Sequence, residues 1–362
     1  IIDTINVRTV IKTSTTKAIT WSKRLLGFSG VWPLKIRDTL FLPYLFYGCL
    51  YSFLGLLDLI DYINDFHYVL TNIIENMLMI MTLTKFGMCR MKHRSLSSFL
   101  TETKNDYNVD NYKTKEERSI FMRYNKFSYI FIMAALPSMT FIILLYYFKT
   151  VIPGIIMGTT IIFNHLYYII FSIYAFGCIH EFLRITMVIS AYVGTDCLLA
   201  TIGFHLTGQL AILRCRVKDV LKDNDGSRQG IHKMILRHHR LIRLADILED
   251  SFNIVICQQL LGTTIQICIS SYQILSVRRP HSTEILYPTS LAVLEGIGIL
   301  TFSTNLCEAL YHCDWYELST IDMKSIYICM IRARKPLRLT CAKFCIIMKT
   351  SMAYLSVLRT FM

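Results

Sequence analysis

Charge is scarce in this sequence: only 17% of its 362 residues are Asp, Glu, Lys or Arg, against roughly 25% in ordinary soluble domains. With 53% hydrophobic residues and a mean hydropathy of +0.43, a water-soluble fold would have too few polar side chains to cover its surface. There is no Asn-x-Ser/Thr glycosylation acceptor, and residues 1–39 are polar and basic, without the apolar core of a cleavable signal peptide. A P-loop, a nucleophile elbow, an HExxH helix and a paired CxxC are all missing. No catalytic residue and no cofactor is therefore implied, and an enzyme is not expected.

What is present is a series of apolar blocks about twenty residues long, the length a helix needs to cross roughly 30 Å of hydrocarbon. The blocks predict an all-α polytopic membrane protein with spans near residues 40–60, 69–89, 127–148, 174–213, 250–275, 286–312 and 343–362. Twelve cysteines fall mostly in or beside these blocks, as small hydrophobes do, and not in the segments placed outside, so a disulfide framework is not expected. Cys341 with Cys345, and Cys307 with His312 and Cys313, have spacings a metal could use, but no metal site is inferred from them.

The net charge of +13 would suit nucleic acid only if the basic residues shared one solvated face. They lie instead in the connectors, where they report orientation, because positive charge resists translocation. Four segments carry seven (1–39), nine (90–126), nine (214–243) and six (313–343) Lys and Arg; the connectors between them carry none, one and two, and the C-terminal end one. The N-terminus is therefore expected inside and the C-terminus outside. Two crossings between residues 150 and 213 would put the nine charges of 214–243 on the wrong side, so one is preferred: a helix from about Tyr174 to Val217, continuing into the cytoplasm. The apolar residues 150–173 are then expected to fold at the outer surface. KDNDGSRQG at 222–230 reads as a turn, and Ile231, Ile235, Leu241, Leu244 and Leu248 follow near helical period, so the fifth helix is expected to start well below the membrane. His238 and His239, among arginines, are expected on a solvated face.

Ionisable residues inside apolar spans cost about 2.5–3.5 kcal/mol at the helix centre and tend to face a cavity or a partner. These are Glu75 and Lys85 in the second span, Glu181 and Asp196 in the fourth, and Glu295 and Glu308 in the sixth. Glu75, Glu181 and Glu295 fall in the outer halves, where they could line one hollow or bond between helices. The outer halves also carry Met139, Tyr146, Tyr174, Cys178, Phe182 and Tyr272. Such side chains suit a small volatile apolar ligand and serve equally for helix packing.

Toward the C-terminus the pattern becomes recognisable. GILTFSTNLCEALYHCDWYEL (298–318), MIRARKPLRLTCAKF (330–344) and KTSMAYLSVLR (349–359) resemble the sixth helix, cytoplasmic link and seventh helix of the insect odorant receptors. TDCLLATIGFHLTGQLAILRCRV (195–217) and CQQLLGTTIQICISSYQIL (257–275) are similar to parts of that family's fourth and fifth helices. The resemblance implies a subunit of a ligand-gated, nonselective cation channel, working as a tetramer with an odorant receptor coreceptor in the plasma membrane of an olfactory neuron dendrite. It implies an outer odorant pocket between the second to sixth helices and a pore lined by the last. Matched by position, Val357 would be the hydrophobic gate, with Thr360 and Phe361 at the mouth, and Trp315 and Tyr316 would anchor the inner bundle. A ring of apolar side chains can block ions by dewetting.

Two features depart from the family pattern. The chain between AKFCIIM and KTSMAY is shorter by roughly two helical turns, and residues 150–173 are unusually apolar. A G-protein-coupled receptor would need the opposite orientation and an acidic-Arg-Tyr triplet after the third helix, which is missing. A transporter should show two related halves, and none is visible. A gustatory-type receptor channel is the nearest alternative; the WYEL and KTSMAY segments favour the odorant branch.

Overall fold

Backbone groups in an apolar run must bond within the run, and the chain answers with long helices. The computed structural model describes residues 17–108, 111–112, 114–160, 166–220 and 227–276. Among them lie α1 (residues 17–28), α2 (Asp38–Asp61), α3 (Phe66–Met91), α4 (His93–Thr103), α5 (Lys115–Thr160), α6 (Leu166–Met187), α7 (Gly194–Val220) and α8 (Ser227–Ser276), and no strand. A 3-10 turn, Lys104–Tyr107, follows α4, and a π-helical turn, Val188–Val193, joins α6 to α7 without a break. The spans expected at 286–312 and 343–362 lie outside the described residues.

The outward face of α2 is apolar along its whole length: Leu42, Phe46, Leu50, Phe53, Leu57 and Ile60 are between 43% and 71% exposed. A soluble monomer rarely leaves such a surface to water; lipid is its natural solvent. Among the described residues, Asp38–Asp61 and Phe176–Arg216 are long and apolar enough to cross a bilayer on composition alone. α3 is less apolar because Asn76, Thr82 and Lys85 are turned into the protein, where all three are buried.

α5 packs along α7, α8 runs against α3, α4 and α7, and α2 lies on α3. One apolar core joins Trp32, Phe86, Phe99, Leu198, Leu206, Leu241 and Phe252 across α3, α4, α7 and α8. A second gathers Met81, Ile132, Met139, Val188 and Tyr192 around the π turn. The polar N-terminal segment contributes more than its composition suggests. In α1, Ala18, Ser22 and Leu26 recur every four residues and are buried, while Lys17, Lys23 and Arg24 point out. Gly30, at φ +79°, turns the chain into α2; a Cβ there would sit 2.7 Å from the Arg37 carbonyl oxygen.

α8 is one helix of 50 residues, about 75 Å at 1.5 Å per residue and far longer than a bilayer. Ile231, Leu241, Leu244 and Leu248 are buried along it, with Ile235 packed beside them. His238 corrects the expectation of a solvated face: it falls in register with Met234 and Leu241 and is buried, whereas His239 is exposed. Of residues 150–173, expected to fold at the outer surface, 150–160 and 166–173 are helical. α5 continues through Pro153 and Gly154 to Thr160 and α6 begins at Leu166, helix satisfying the backbone of an apolar run internally.

Candidate functional site

Near the α2–α3 connector, α2, α3 and His180 of α6 enclose a cleft of about 520 Å³. α2 presents Tyr51, Leu54, Gly55 and Asp58, and α3 presents Tyr68, Thr71, Asn72, Glu75 and Asn76. These positions recur every three or four residues, so each helix turns a polar stripe inward and keeps its apolar face outward. Tyr51 donates its phenol to Glu75 Oε2 at 3.3 Å, and Tyr68 donates to Asp58 Oδ2. Asn72 Nδ2 donates to the Gly55 carbonyl at 3.1 Å, which staples the helices at a glycine. Asp65 caps α3 by accepting from the Tyr68 amide at 3.1 Å.

Behind the cleft the Tyr51 ring stacks on His180 at 5.5 Å, and Tyr47 donates to the His180 carbonyl at 2.8 Å. The Arg184 guanidinium lies 5.9 Å from the centre of the Tyr51 ring. Its Nε donates to both oxygens of Glu181, at 3.1 and 3.0 Å.

Glu75 and Glu181, expected to share a hollow, are therefore drawn to one neighbourhood through Tyr51 and Arg184, with Glu75 lining the cleft. The others are not. Met139 is 2% exposed and belongs to the core around the π turn. Phe182 is 61% exposed, Cys178 is a half-buried free thiol, and Tyr272 packs edge-on against Phe66 at 5.7 Å. Tyr146 lies on α5 and Tyr174 on α6, with side chains outside the described residues. Glu295, Glu308, Trp315, Tyr316, Val357, Thr360 and Phe361, like the cysteines from 307 onward, also lie outside them. Sequence reasoning missed Tyr51, Asp58, Tyr68, Asn72 and His180. The signal that could have found the first four was helical spacing of polar residues in the first two spans.

Two more of these charges, Lys85 and Asp196, meet each other. Lys85 Nζ is 2.5 Å from Asp196 Oδ1, with the side chains 1% and 4% exposed. The ammonium also sits 3.3 Å from the centre of the Tyr192 ring, within the π turn. One turn along α3, Cys89 Sγ lies 3.6 Å from the Thr195 hydroxyl.

At the basic end of the bundle a further polar network ties α4, the 3-10 turn, α5, α7 and α8. Asp106 accepts from Arg240 Nη1 and Nη2, both at 2.9 Å, and His205 Nε2 lies 3.5 Å from Asp106 Oδ2. Burial opposes the Asp106 charge, but His205 and Arg240 outweigh it and hold the carboxyl below its ordinary range. Tyr107 stacks on His205 at 4.6 Å. Tyr112 donates to the Asp106 carbonyl at 2.6 Å and accepts from Gln209 at 2.7 Å, and burial pushes its phenol up to about 12. Arg240 and Arg243 both reach Glu102, and Arg216 holds Glu117 at 2.7 Å.

Comparison with known proteins bears on this arrangement. The sequence model of a family described as 7tm Odorant receptor matches residues 65–362. The chain is similar to the putative odorant receptor 69a, isoform A, of Drosophila melanogaster, 29% identical over 143 residues, 36% of each chain. It is similar to odorant receptor 13a of the same species, 24% identical over 220 residues, 48% of this chain and 52% of the relative. The odorant receptor coreceptor of Ooceraea biroi is 28% identical over 126 residues, 32% of this chain and 26% of that one. The chain thus matches about half or less of the length of these curated relatives. In three dimensions it resembles the insect olfactory receptor OR5 from Machilis hrabei in complex with eugenol, with a TM-score of 0.71 and 14% identity over 95% of this chain and 96% of that one. That likeness speaks for the fold.

Proposed function

Because the chain belongs to the 7tm odorant receptor family, whose pattern covers residues 65–362, we propose that it is the ligand-binding subunit of an odorant-gated, nonselective cation channel. In this reading it is a plasma-membrane protein of seven spans, with residues 1–39 and the Asp106–Arg240 network inside and the C-terminus outside. The partner is the odorant receptor coreceptor in a hetero-oligomeric tetramer, and the ligand is a small volatile molecule. Val357 acts as the pore gate, Thr360 and Phe361 flank it, and Trp315 and Tyr316 hold the inner bundle.

The observation that carries the reading is the family pattern over residues 65–362. Beside it stands the cleft at Glu75, which the first span helps to line and which therefore lies partly outside the pocket between the second to sixth helices that the resemblance implies. Under the orientation set by the basic connectors it opens at the outer ends of α2 and α3, and it has the volume of a small-molecule site. The fold likeness to a receptor solved with eugenol supports the same use. Expression with and without the coreceptor, followed by recording under an odorant panel, tests the proposal. Odorant-evoked cation current is expected only when both chains are present; current from this chain alone refutes the subunit assignment.

A further inference from the structure

A second, open notch lies at the other end of α2 and α3 from the Glu75 cleft. It encloses about 570 Å³ and is lined by Leu34 and Ile36 of the connector before α2, Asp38 at the start of α2, Arg90 at the end of α3, and His93 and Arg94 of α4. Its two guanidiniums outnumber its one carboxylate. Arg90 Nε donates to Asp38 Oδ1 at 3.1 Å, a pair at the protein surface. Arg94 is exposed and makes no hydrogen bond or ion pair among the described residues. Lys35 and Arg37 are exposed in the same connector, whereas Lys92 is held by Asp250 at 2.7 Å. The notch thus keeps a surplus of positive charge and of N–H donors, of which each arginine carries five.

The position of the notch is a second, independent observation. Asp38 is the first residue of α2, and the outward apolar stripe starts at Leu42, about one turn or 6 Å along the axis. Apolar surface also reaches the arginines themselves: Leu34 is 52% exposed and Met91, next to Arg90, is 81% exposed. The basic groups therefore stand where the lipid-facing surface ends, at the level of the headgroups.

These two features together select the occupant. A guanidinium fork matches the oxygens of a phosphate, which any phosphate ester could offer. Exposed apolar side chains beside the fork suit a phosphate that carries acyl chains. A zwitterionic choline lipid would bring its own cation toward Arg94, and an anionic lipid brings none in excess of its negative charge. We propose that the notch seats the headgroup of an anionic phospholipid from the leaflet in which α2 begins, with its chains along the lipid-facing side of α2. Under the proposed orientation this is the cytoplasmic leaflet, whose anionic lipids attract basic segments. The inference goes beyond the receptor reading and uses it only to name the leaflet.

Dioleoylphosphatidylserine and dioleoylphosphatidylcholine share their chains and differ in net charge, so they form the test pair. Each is titrated into the full chain in a neutral detergent, and the first bound lipid is counted by native mass spectrometry. Phosphatidylserine is expected to bind about tenfold more tightly than phosphatidylcholine. Arg90→Gln combined with Arg94→Gln is expected to abolish that preference. Arg123→Gln combined with Lys126→Gln removes the same charge from exposed positions of α5 and is expected to keep it. Equal affinity for the two lipids on the unmodified protein overturns the proposal, as does a preference that survives in the Arg90 and Arg94 variant. A preference lost equally in both double variants also overturns it, assigning the effect to overall charge. Glycerophosphoserine, the headgroup without chains, is expected not to compete; displacement of the lipid at comparable concentration would make this a site for soluble phosphate esters and end the lipid assignment. The comparison of the two lipids needs no variant, so a variant that fails to fold leaves the test intact.

Discussion

Lys85 and Asp196 show how a single pair can dominate a local ledger. Two charges with side chains 1% and 4% exposed have each lost solvation worth several kcal/mol, which only a close partner offsets. The Tyr192 ring adds a second attraction for the ammonium. Removing one member is therefore far worse than removing both. Lys85→Met is expected to cost about 3–5 kcal/mol, seen as lower surface delivery and a lower thermal midpoint in detergent. Lys85→Met combined with Asp196→Leu should recover most of that loss. If the double variant is no better than the single, the pair is not the coupled unit its geometry implies. The sequence exposed these two residues as costly, but not that they were each other's partners. They stand 111 residues apart, and neither spacing nor composition encodes that separation. Arg184 escaped notice, yet it engages Glu181 only three residues away, a spacing visible to a search for i, i+3 pairs.

At the scale of elements, the decisive contacts are where helices from distant sequence share polar groups. Asp106 in the 3-10 turn, His205 on α7 and Arg240 on α8 converge, so one carboxylate holds three elements together. Its pKa is lower folded than unfolded. The stabilisation it supplies is hence fully present above the unfolded value of about 3.9 and is lost as pH falls through the folded value. Asp106→Asn should cost roughly 1–3 kcal/mol near neutral pH. Thermal unfolding of the two proteins should converge as the pH drops below about 4, and a gap that stays constant with pH would assign the loss to packing instead. Helix existence was legible here. The period of Ile231, Leu241, Leu244 and Leu248 foretold the buried face of α8; of the turn expected at 222–230, residues 227–230 are helix and the rest lie outside the described residues. What was not legible was the fate of residues 150–173, where Pro153–Gly154, a dipeptide that ordinarily marks a turn, is instead carried within α5. His238 was misjudged for a related reason: neighbouring arginines describe composition, whereas its position between Met234 and Leu241 describes a face.

For the whole molecule, the all-α membrane fold followed from the scarcity of charge and the length of the apolar blocks. The outward apolar face of α2, from Leu42 to Ile60, gives that reading its physical form. The candidate site was half legible. Glu75 and Glu181 were found because charge in lipid is expensive, whereas Met139 and Tyr272 shared only an aromatic or sulfur character that packing uses equally. Membrane orientation links every functional statement, because the proposed orientation is what would put the Glu75 cleft outside and the Asp106 network in the cytoplasm. It rests on the nine Lys and Arg between 214 and 243, against the two between 276 and 285. An epitope inserted within residues 222–230 and probed with antibody on living cells measures this directly. The account predicts labelling only after permeabilisation; labelling of intact cells would contradict it.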